Sequence, residues 1–511
     1  MPSTSRVVAL AQGRLLMEAQ QHHKDGSAAV AAAAGAGGGA AGVRWRAGAP
    51  QESNGSARIP PITPRTRHRA NRVKAAIDER IDRLARRQPF INYYLMAVQV
   101  VVHIITLIVV PQAPIASRPV LETAAIDDPA GNSHVLHVNK SGNVLIGPSA
   151  QDLIAFGAVF APCMRRDPRV DAYVQAQRLE SDNLGCCVHT FDSQGFTGTA
   201  DECTGLAVFF NETICYGRRC CVDPTVWPEC VPLLAADLPN DTAFEPCRVD
   251  LVANPCCTGI FGECSIMTRD ECAFRDGYYH ADKRTCAEVD CLQSVCGLFD
   301  FVNPFIPDQW YRLITTLVLP PGTIYLLAVL VGQLYISVPI EQSIGWKRFG
   351  VLALSSGVGG YIISGIFVPY EIKSGISPVL YGCLGALYIE LFQSWKRVLR
   401  PARYLLWLVL ITALAFAVGT LKYIDNFGHV GGFVFGVVTA LIVLPWETFS
   451  NWDKVRKRLI AIVAAGVLAL MFITSATMLF TGEAPDCEAC YAFNCIDWVP
   501  GMCDDDARAV I

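Results

Sequence analysis

The chain has 511 residues, 52% of them hydrophobic, and its 42 basic and 46 acidic side chains leave a formal net charge of −4. A mean hydropathy of +0.33 over that length excludes an ordinary soluble protein and points to membrane spans. The small net charge gives no reason to expect a nucleic-acid partner.

Residues 1–88 are predicted to be a disordered cytosolic segment. Ala28 to Gly42 is almost all alanine and glycine, with nothing to build a core. Arg65 to Arg87 is rich in arginine, and a helix is predicted over Val73 to Leu84, ending before Pro89. Its plain reading is a solvated topogenic flank; attraction to anionic lipid is the lesser one. The first apolar run, Asn92 to Val110, lies behind too long a polar leader for an ordinary signal peptide and reads as a signal anchor. It gives a first transmembrane helix within residues 89–111.

A polar insert follows over residues 112–308. It holds Cys163 to Cys296, the larger of two cysteine sets; the smaller, Cys487 to Cys503, lies in the tail of residues 483–511, and Cys383 sits alone in an apolar segment. Both sets are even in number and lie outside the apolar runs, so they read as disulfide frameworks in an oxidising lumen. Metal binding is the competing reading. Vicinal pairs such as Cys186-Cys187, Cys220-Cys221 and Cys256-Cys257 lack the repeated CxxC spacing of zinc sites, so no metal and no cofactor is expected. The insert also carries three glycosylation acceptors, Asn139, Asn211 and Asn240, which support a lumenal assignment. It is expected to be loop-rich, with few regular elements.

Six more apolar segments occupy residues 309–482: Arg312 to Val338, Phe349 to Val368, Pro378 to Phe392, Tyr404 to Thr420, Val430 to Leu444 and Leu459 to Phe480. Each is able to cross a bilayer. The basic flank of the first span places the N-terminus in the cytosol. Lys347 and Arg348, then Lys396, Arg397, Arg400 and Arg403, then Lys454, Arg456, Lys457 and Arg458 fall in loops on that same side. Seven spans put the C-terminal cysteines in the lumen, so charge bias and cysteine placement agree, while the pairing within each set stays open. Gly357, Gly359, Gly360 and Gly365 in the third span, and Gly428, Gly431, Gly432 and Gly436 in the sixth, mark close helix contacts that Gly382 and Gly385 of the fourth are placed to face. Trp310-Tyr311-Arg312 reads as an interfacial anchor at headgroup depth.

Several local motifs carry a family resemblance. They are Cys256-Cys257 through Cys264-Ser265-Ile266-Met267-Thr268-Arg269 to Cys272, and Cys291 to Cys296 with Gly297-Leu298. Pro307-Asp308-Gln309-Trp310-Tyr311-Arg312, Glu390-Leu391-Phe392-Gln393-Ser394-Trp395 and Ile424-Asp425-Asn426-Phe427-Gly428-His429 belong with them. With the order of span, cysteine-rich insert and six further spans, the region from Phe90 to Cys503 resembles the inactive rhomboid proteins, relatives of the rhomboid intramembrane serine proteases. The resemblance implies an all-α polytopic membrane protein, a rhomboid-like helix bundle of seven spans (six-helix core plus one C-terminal span), with a disulfide-rich lumenal insert between spans one and two. The short Ala/Gly-rich N-terminus departs from the long tail of the animal members.

Active rhomboids carry Gly-x-Ser-Gly at the top of the fourth span and a histidine in the sixth. The matching residues here are Gly375, Ser377 and His429, a nucleophile and a base, with Pro378 where the protease has glycine. Ser before Pro is a good helix N-cap, so Ser377 also has a purely structural reading, and the Pro378 ring is expected to crowd the space between nucleophile and base. The family's oxyanion donors, His-x-x-x-Asn in the second span, become Tyr325 and Val329. Valine donates nothing, and tyrosine reaches further than imidazole; losing one such donor typically costs about 3 kcal/mol, roughly a hundredfold in rate. The reading is a pseudoprotease that binds transmembrane client proteins in the bilayer. The family implies growth-factor precursors or an ADAM-type metalloprotease as clients, and control of their traffic, stability or degradation in the endoplasmic reticulum and Golgi, reaching the plasma membrane. A weakly active serine endopeptidase using Ser377 and His429 is the alternative. A transporter gains no support, because charges within the spans are scarce.

Overall fold

The computed structural model describes residues 87–127, 133–182, 184–189, 195–201, 207–211, 254–283, 285–303, 306–395, 400–421, 424–445, 451–482 and 487–496, with Cys203 and Val398 besides. The arginine-rich segment before Arg87, the sequon at Asn240 and the tail from residue 497, with Cys503, lie outside them.

Each expected apolar segment corresponds to a helix. These are α1 Phe90–Val109, α2 Thr323–Ile344, α3 Trp346–Phe367, α4 Ser377–Ser394, α5 Pro401–Val418, α6 Asn426–Val443 and α7 Asn451–Thr481. All but α4 are long and apolar enough to cross a membrane, so the chain is a multi-pass membrane protein. The more polar α4, with Glu390 and Gln393 in its last turns, packs on both α3 and α6.

Helix α2 begins at Thr323, not at Arg312 as its hydropathy suggests. A short helical turn, Arg312–Thr315, and a tighter one, Thr316–Val318, precede a break at Leu319-Pro320-Pro321-Gly322. Neither proline has an amide hydrogen to continue the ladder. Lower in α2, Pro339 removes another donor, and the turn before it, Gln333–Ser337, widens to a π-helix.

Helices α3, α4 and α6 touch backbone to backbone. A Cβ on Gly360 would meet the Gly428 carbonyl oxygen at 2.6 Å, and one on Gly436 would meet the Gly382 Cα at 2.3 Å. Only glycine permits that approach, which maximises dispersion contact where lipid supplies no hydrophobic drive. Ser355 and Thr439 add a hydrogen bond of 2.7 Å between α3 and α6.

Helix α1 is built the opposite way to a soluble helix. Its buried residues are Asn92, Gln99, His103 and Thr106, whereas Ile104, Ile108 and Val109 face outward. The spacing puts the four polar residues on one face, and lipid favours apolar residues on the other. Gln333 donates to Gln99 at 2.8 Å and His103 pairs with Thr323 at 2.9 Å. At the end of α1, the buried Glu341 carboxylate accepts the Ile91 and Asn92 amides, both at 2.9 Å, and the Asn92 side chain at 2.7 Å. A carboxylate at a helix N-terminus also meets the favourable end of the macrodipole.

The insert is more regular than a loop-rich segment. Strands β1 Val120–Asp127 and β2 Ser133–Lys140 form an antiparallel ribbon. Strands β3 Leu184–His189, β4 Gly195–Thr199 and β5 Ala207–Asn211 make a sheet of order β4-β3-β5. Strands β6 Asn254–Thr258, β7 Glu263–Met267 and β8 Tyr278–Tyr279 make a second of order β7-β6-β8. Disulfides hold this second sheet in place. Cys256 and Cys257 are neighbours on β6 and so point to opposite faces. Cys256 pairs with Cys272 and Cys257 with Cys291, while Cys264 pairs with Cys286 and Cys163 with Cys296. The cysteines that raised the zinc question on β6 are therefore oxidised partners. Asn139 is exposed on β2, and Asn211 ends β5.

Insert and bundle meet at Arg312. This side chain is 0% exposed, so it is not the headgroup anchor its sequence setting suggests, although Trp310 beside it is well exposed. Its guanidinium donates to the carbonyls of Ile154 at 2.6 Å, Ala158 at 2.8 Å and Cys296, and to the Gln309 side chain at 2.7 Å.

Arg312→Gln should strand several of these acceptors and destabilise the junction by on the order of 3 kcal/mol. Limited proteolysis checks this: cleavage within residues 150–163 should become faster than in the wild type, and unchanged cleavage would remove the proposed hub. Glu341→Ala should cost about 2 kcal/mol through lost capping of α1, read as a lower midpoint of thermal unfolding in detergent.

Candidate functional site

The sequence places a serine and a histidine at the same end of two helices, and the structure brings both into the core. Ser377 is the first residue of α4 and is buried; Pro378 is the second. Ser377 is therefore not the N-cap. That place falls to Ile376, whose carbonyl takes the Val379 amide at 3.0 Å, while Pro378 sits in the first turn, where its missing amide hydrogen costs no helical bond. His429, 2% exposed, lies in the first turn of α6.

The two side chains are not joined. Both ring nitrogens of His429 lack a hydrogen-bond partner among the described residues. The imidazole instead stacks flat on Tyr381, centroids 3.9 Å apart and planes 8° from parallel. Phe416 of α5 packs edge-on to Tyr381 at 5.0 Å and lies 6.4 Å from His429. Tyr381 stands four residues after Ser377, on the same face of α4. That spacing was readable in the sequence, but nothing local marked the ring as the resting place of the histidine.

The Ser377 amide is occupied. It donates to the Tyr325 hydroxyl at 3.0 Å. Tyr325 rises from the first turn of α2, and its longer reach is what brings the phenol oxygen to α4. Room for it comes from Gly375, whose φ is +109° and where a Cβ would lie 2.2 Å from that oxygen. The Gly375 carbonyl is held in turn by the Tyr361 hydroxyl, and its amide by the Thr316 carbonyl at 2.9 Å. Val329, one turn along α2, is buried in the apolar core. The Pro378 ring packs among glycines: Cβ atoms built on Gly360 and Gly428 would meet its Cβ at 2.7 Å and its Cγ at 3.4 Å.

The loop leading into Ser377 is clamped from several sides. Val159 of the insert exchanges two backbone hydrogen bonds with Lys373, 2.8 and 3.0 Å. Thr316 donates to the Lys373 carbonyl at 2.9 Å. Tyr370 donates to the buried Asp167 carboxylate at 3.1 Å. Burial, then the Asp167 charge, push the Tyr370 phenol up, so it remains a donor. The tail adds a fourth hold through its short helix α8, Glu488–Asn494, whose first turn is tied to its N-cap by the Cys487–Cys490 disulfide. Asn494 donates to Glu371 at 2.5 Å and accepts the Asn426 amide, at the start of α6, at 3.0 Å. Glu371 also pairs with Lys373 at 2.5 Å. Nothing local marks this link, because its partners lie 123 and 68 residues apart.

Chemically, nucleophile and base types are present, but the base is parked on an aromatic ring and the amide beside the nucleophile already has an acceptor. Among the described residues no cluster of three or more His, Cys, Asp or Glu side chains is placed to hold a metal ion.

Residues 307–446 match the family model of the Rhomboid domain. The chain is 31% identical over 463 residues to Inactive rhomboid protein 1 of Homo sapiens, and 32% identical over the same length to that of Rattus norvegicus, each match taking in 85% of this chain and 54% of the relative. Against Inactive rhomboid protein 2 of Homo sapiens the identity is 31% over 443 residues, 80% of this chain and 51% of the relative. The chain thus spans about half the length of the curated relatives it matches. Since the domain match covers the helices that carry Tyr325, Ser377 and His429, and the longer matches reach well beyond it, the chain belongs to the rhomboid family, in its inactive rhomboid protein branch.

Proposed function

We propose that this pseudoprotease binds the transmembrane helices of client proteins and regulates their traffic, stability or degradation in the secretory pathway. The observation that carries the reading is the Tyr325 hydroxyl on the Ser377 amide. In serine hydrolases the amide at the nucleophile helps to hold the oxyanion of the tetrahedral intermediate. Here an oxygen already sits on that donor. Catalytic hydrogen bonds often tighten when substrate binds, but tightening in this site first requires the buried phenol to leave. A general base must also reach the nucleophile by a hydrogen bond, and neither ring nitrogen of His429 has a hydrogen-bond partner among the described residues. What remains is a helix bundle with close-packed glycine contacts and a covered mouth, suited to holding a helix rather than cutting it.

In this proposal the insert and tail face the lumen of the endoplasmic reticulum or Golgi, the N-terminus is cytosolic, and Asn139, Asn211 and Asn240 are glycosylation acceptors. The insert shields the lumenal part of a client. Growth-factor precursors and an ADAM-type metalloprotease are the client classes that the family suggests.

A fluorophosphonate probe should leave the purified protein unlabelled, and Ser377→Ala should not alter the set of membrane proteins that co-purify in mild detergent. Labelling that vanishes in Ser377→Ala would instead support a weak endopeptidase using Ser377 and His429. Tyr325→Phe should free the Ser377 amide and speed its hydrogen exchange about tenfold, for a loss of about 1.4 kcal/mol, still without labelling. Labelling that appears in this variant would make the phenol the sole block on a latent protease.

A further inference from the structure

Helix α7 is longer than a bilayer needs. Its 31 residues span about 46 Å at 1.5 Å per residue, against a hydrocarbon core of about 30 Å. Helix α6 starts at the clamped mouth and runs to the far end of the bundle, and α7 returns from there. Beside the end of α7, at Gly482, a Cβ would lie 2.8 Å from Arg165 of the insert. The surplus turns, with Trp452, Lys454, Arg456 and Arg458, therefore stand at the end remote from the insert. Immediately inside them a wholly apolar groove of about 330 Å³ opens between the two helices, lined by Val438 and Leu441 of α6 and by Ile460, Val463, Ala464 and Val467 among the residues of α7.

Arg456 stands one turn before Ile460 on the same stripe of α7. It is exposed, and its guanidinium rests over the Trp452 ring at 5.9 Å. The acidic residue of this turn, Asp453, is paired with Lys457 at 2.5 Å, so it does not oppose an incoming anion. A cation at the mouth of an apolar slot, at headgroup depth, complements a molecule with an anionic head and a hydrocarbon tail. We propose that this groove binds one anionic phospholipid, with an acyl chain between α6 and α7 and its phosphate on Arg456. The proposal is independent of the state of Ser377 and His429.

The test uses the full chain in phosphatidylcholine vesicles doped with phosphatidylserine or phosphatidylcholine carrying a photoreactive acyl chain, with adducts mapped by mass spectrometry. Adducts should fall on the segments holding Val438, Leu441 and Ile460 to Val467, several-fold more with the serine lipid. Arg456→Gln should cut that preference about fivefold, the worth of one cation near an anionic surface. Ala464→Phe should fill the groove and abolish adducts from both lipids; Val467→Phe, at the rim, repeats the test if the first variant misfolds. Excess soluble glycerophosphoserine should not compete, which separates a lipid from a free headgroup. Equal labelling by both lipids, adducts scattered around α7, or capture of a protein segment in the groove would overturn the proposal.

Discussion

A guanidinium buried with no carboxylate partner among the described residues imposes the strictest demand in this structure. Desolvating a charge costs several kcal/mol unless its donors are all met. Arg312 meets most of that demand, with four hydrogen bonds for its five N–H groups, from neutral acceptors drawn from the insert and the turn before α2. Ile154, Ala158, Cys296 and Gln309 must therefore come together or the cation cannot stay. The Cys163–Cys296 disulfide joins residues 133 apart in sequence beside the same point and removes much of the freedom they would otherwise have. Once Ala158 is fixed, Val159 is fixed, and Val159 is the residue that pairs with Lys373. The insert is in this sense part of the site rather than a domain hung from the membrane.

This chain of contacts bears on chemistry. Lys373 leads through Gly375 to Ser377, and the backbone between them is held by α2, α3 and the insert, while the tail holds the Glu371 side chain just before it. Each hydrogen bond is worth only about 1 kcal/mol. Bonds that share one short loop act together, however, because moving any residue breaks several. The hold on Ser377 is thus distributed. Tyr325 occupies the amide, Gly375 makes room for Tyr325, and Tyr361 and Thr316 hold Gly375. Exchanging one residue for its protease counterpart leaves the others in place.

How much of this was readable from sequence depended on distance. The apolar segments were readable because bilayer thickness fixes their length. The contacts of Gly382 with Gly436 and of Gly360 with the sixth helix were readable because close packing in lipid has few other solutions. The Tyr-for-His exchange was readable as a longer side chain, but its role as acceptor was not, since that depends on the positive φ of Gly375. Arg312 was misread for a clear reason. An arginine after two aromatics at the edge of an apolar run looks the same whether lipid or protein surrounds it, and Ile154 and Ala158, more than 150 residues away, decide which. The polar face of α1 needed no distant information. Asn92, Gln99, His103 and Thr106 fall on one stripe, which in a membrane marks the protein-facing side.

Retention of both hydrolase side chains does not require catalysis. Ser377 contributes its amide to the tyrosine bond, and any residue with a backbone N–H would do that. His429 contributes a flat ring. Tyr381 of α4, His429 of α6 and Phe416 of α5 form one aromatic cluster. Helix α5 has no buried residue of its own, so this cluster, with the Tyr388–Thr412 hydrogen bond at 3.1 Å, is a principal hold on it. A stacked imidazole offers aromatic contact worth about 1 kcal/mol and a size that fits beneath Gly419, where a Cβ would already lie 2.9 Å from its Nδ1. A larger ring at position 429 would press on that turn, and a smaller side chain would leave α5 loosely attached. Packing alone thus gives the histidine a structural role that does not depend on proton transfer.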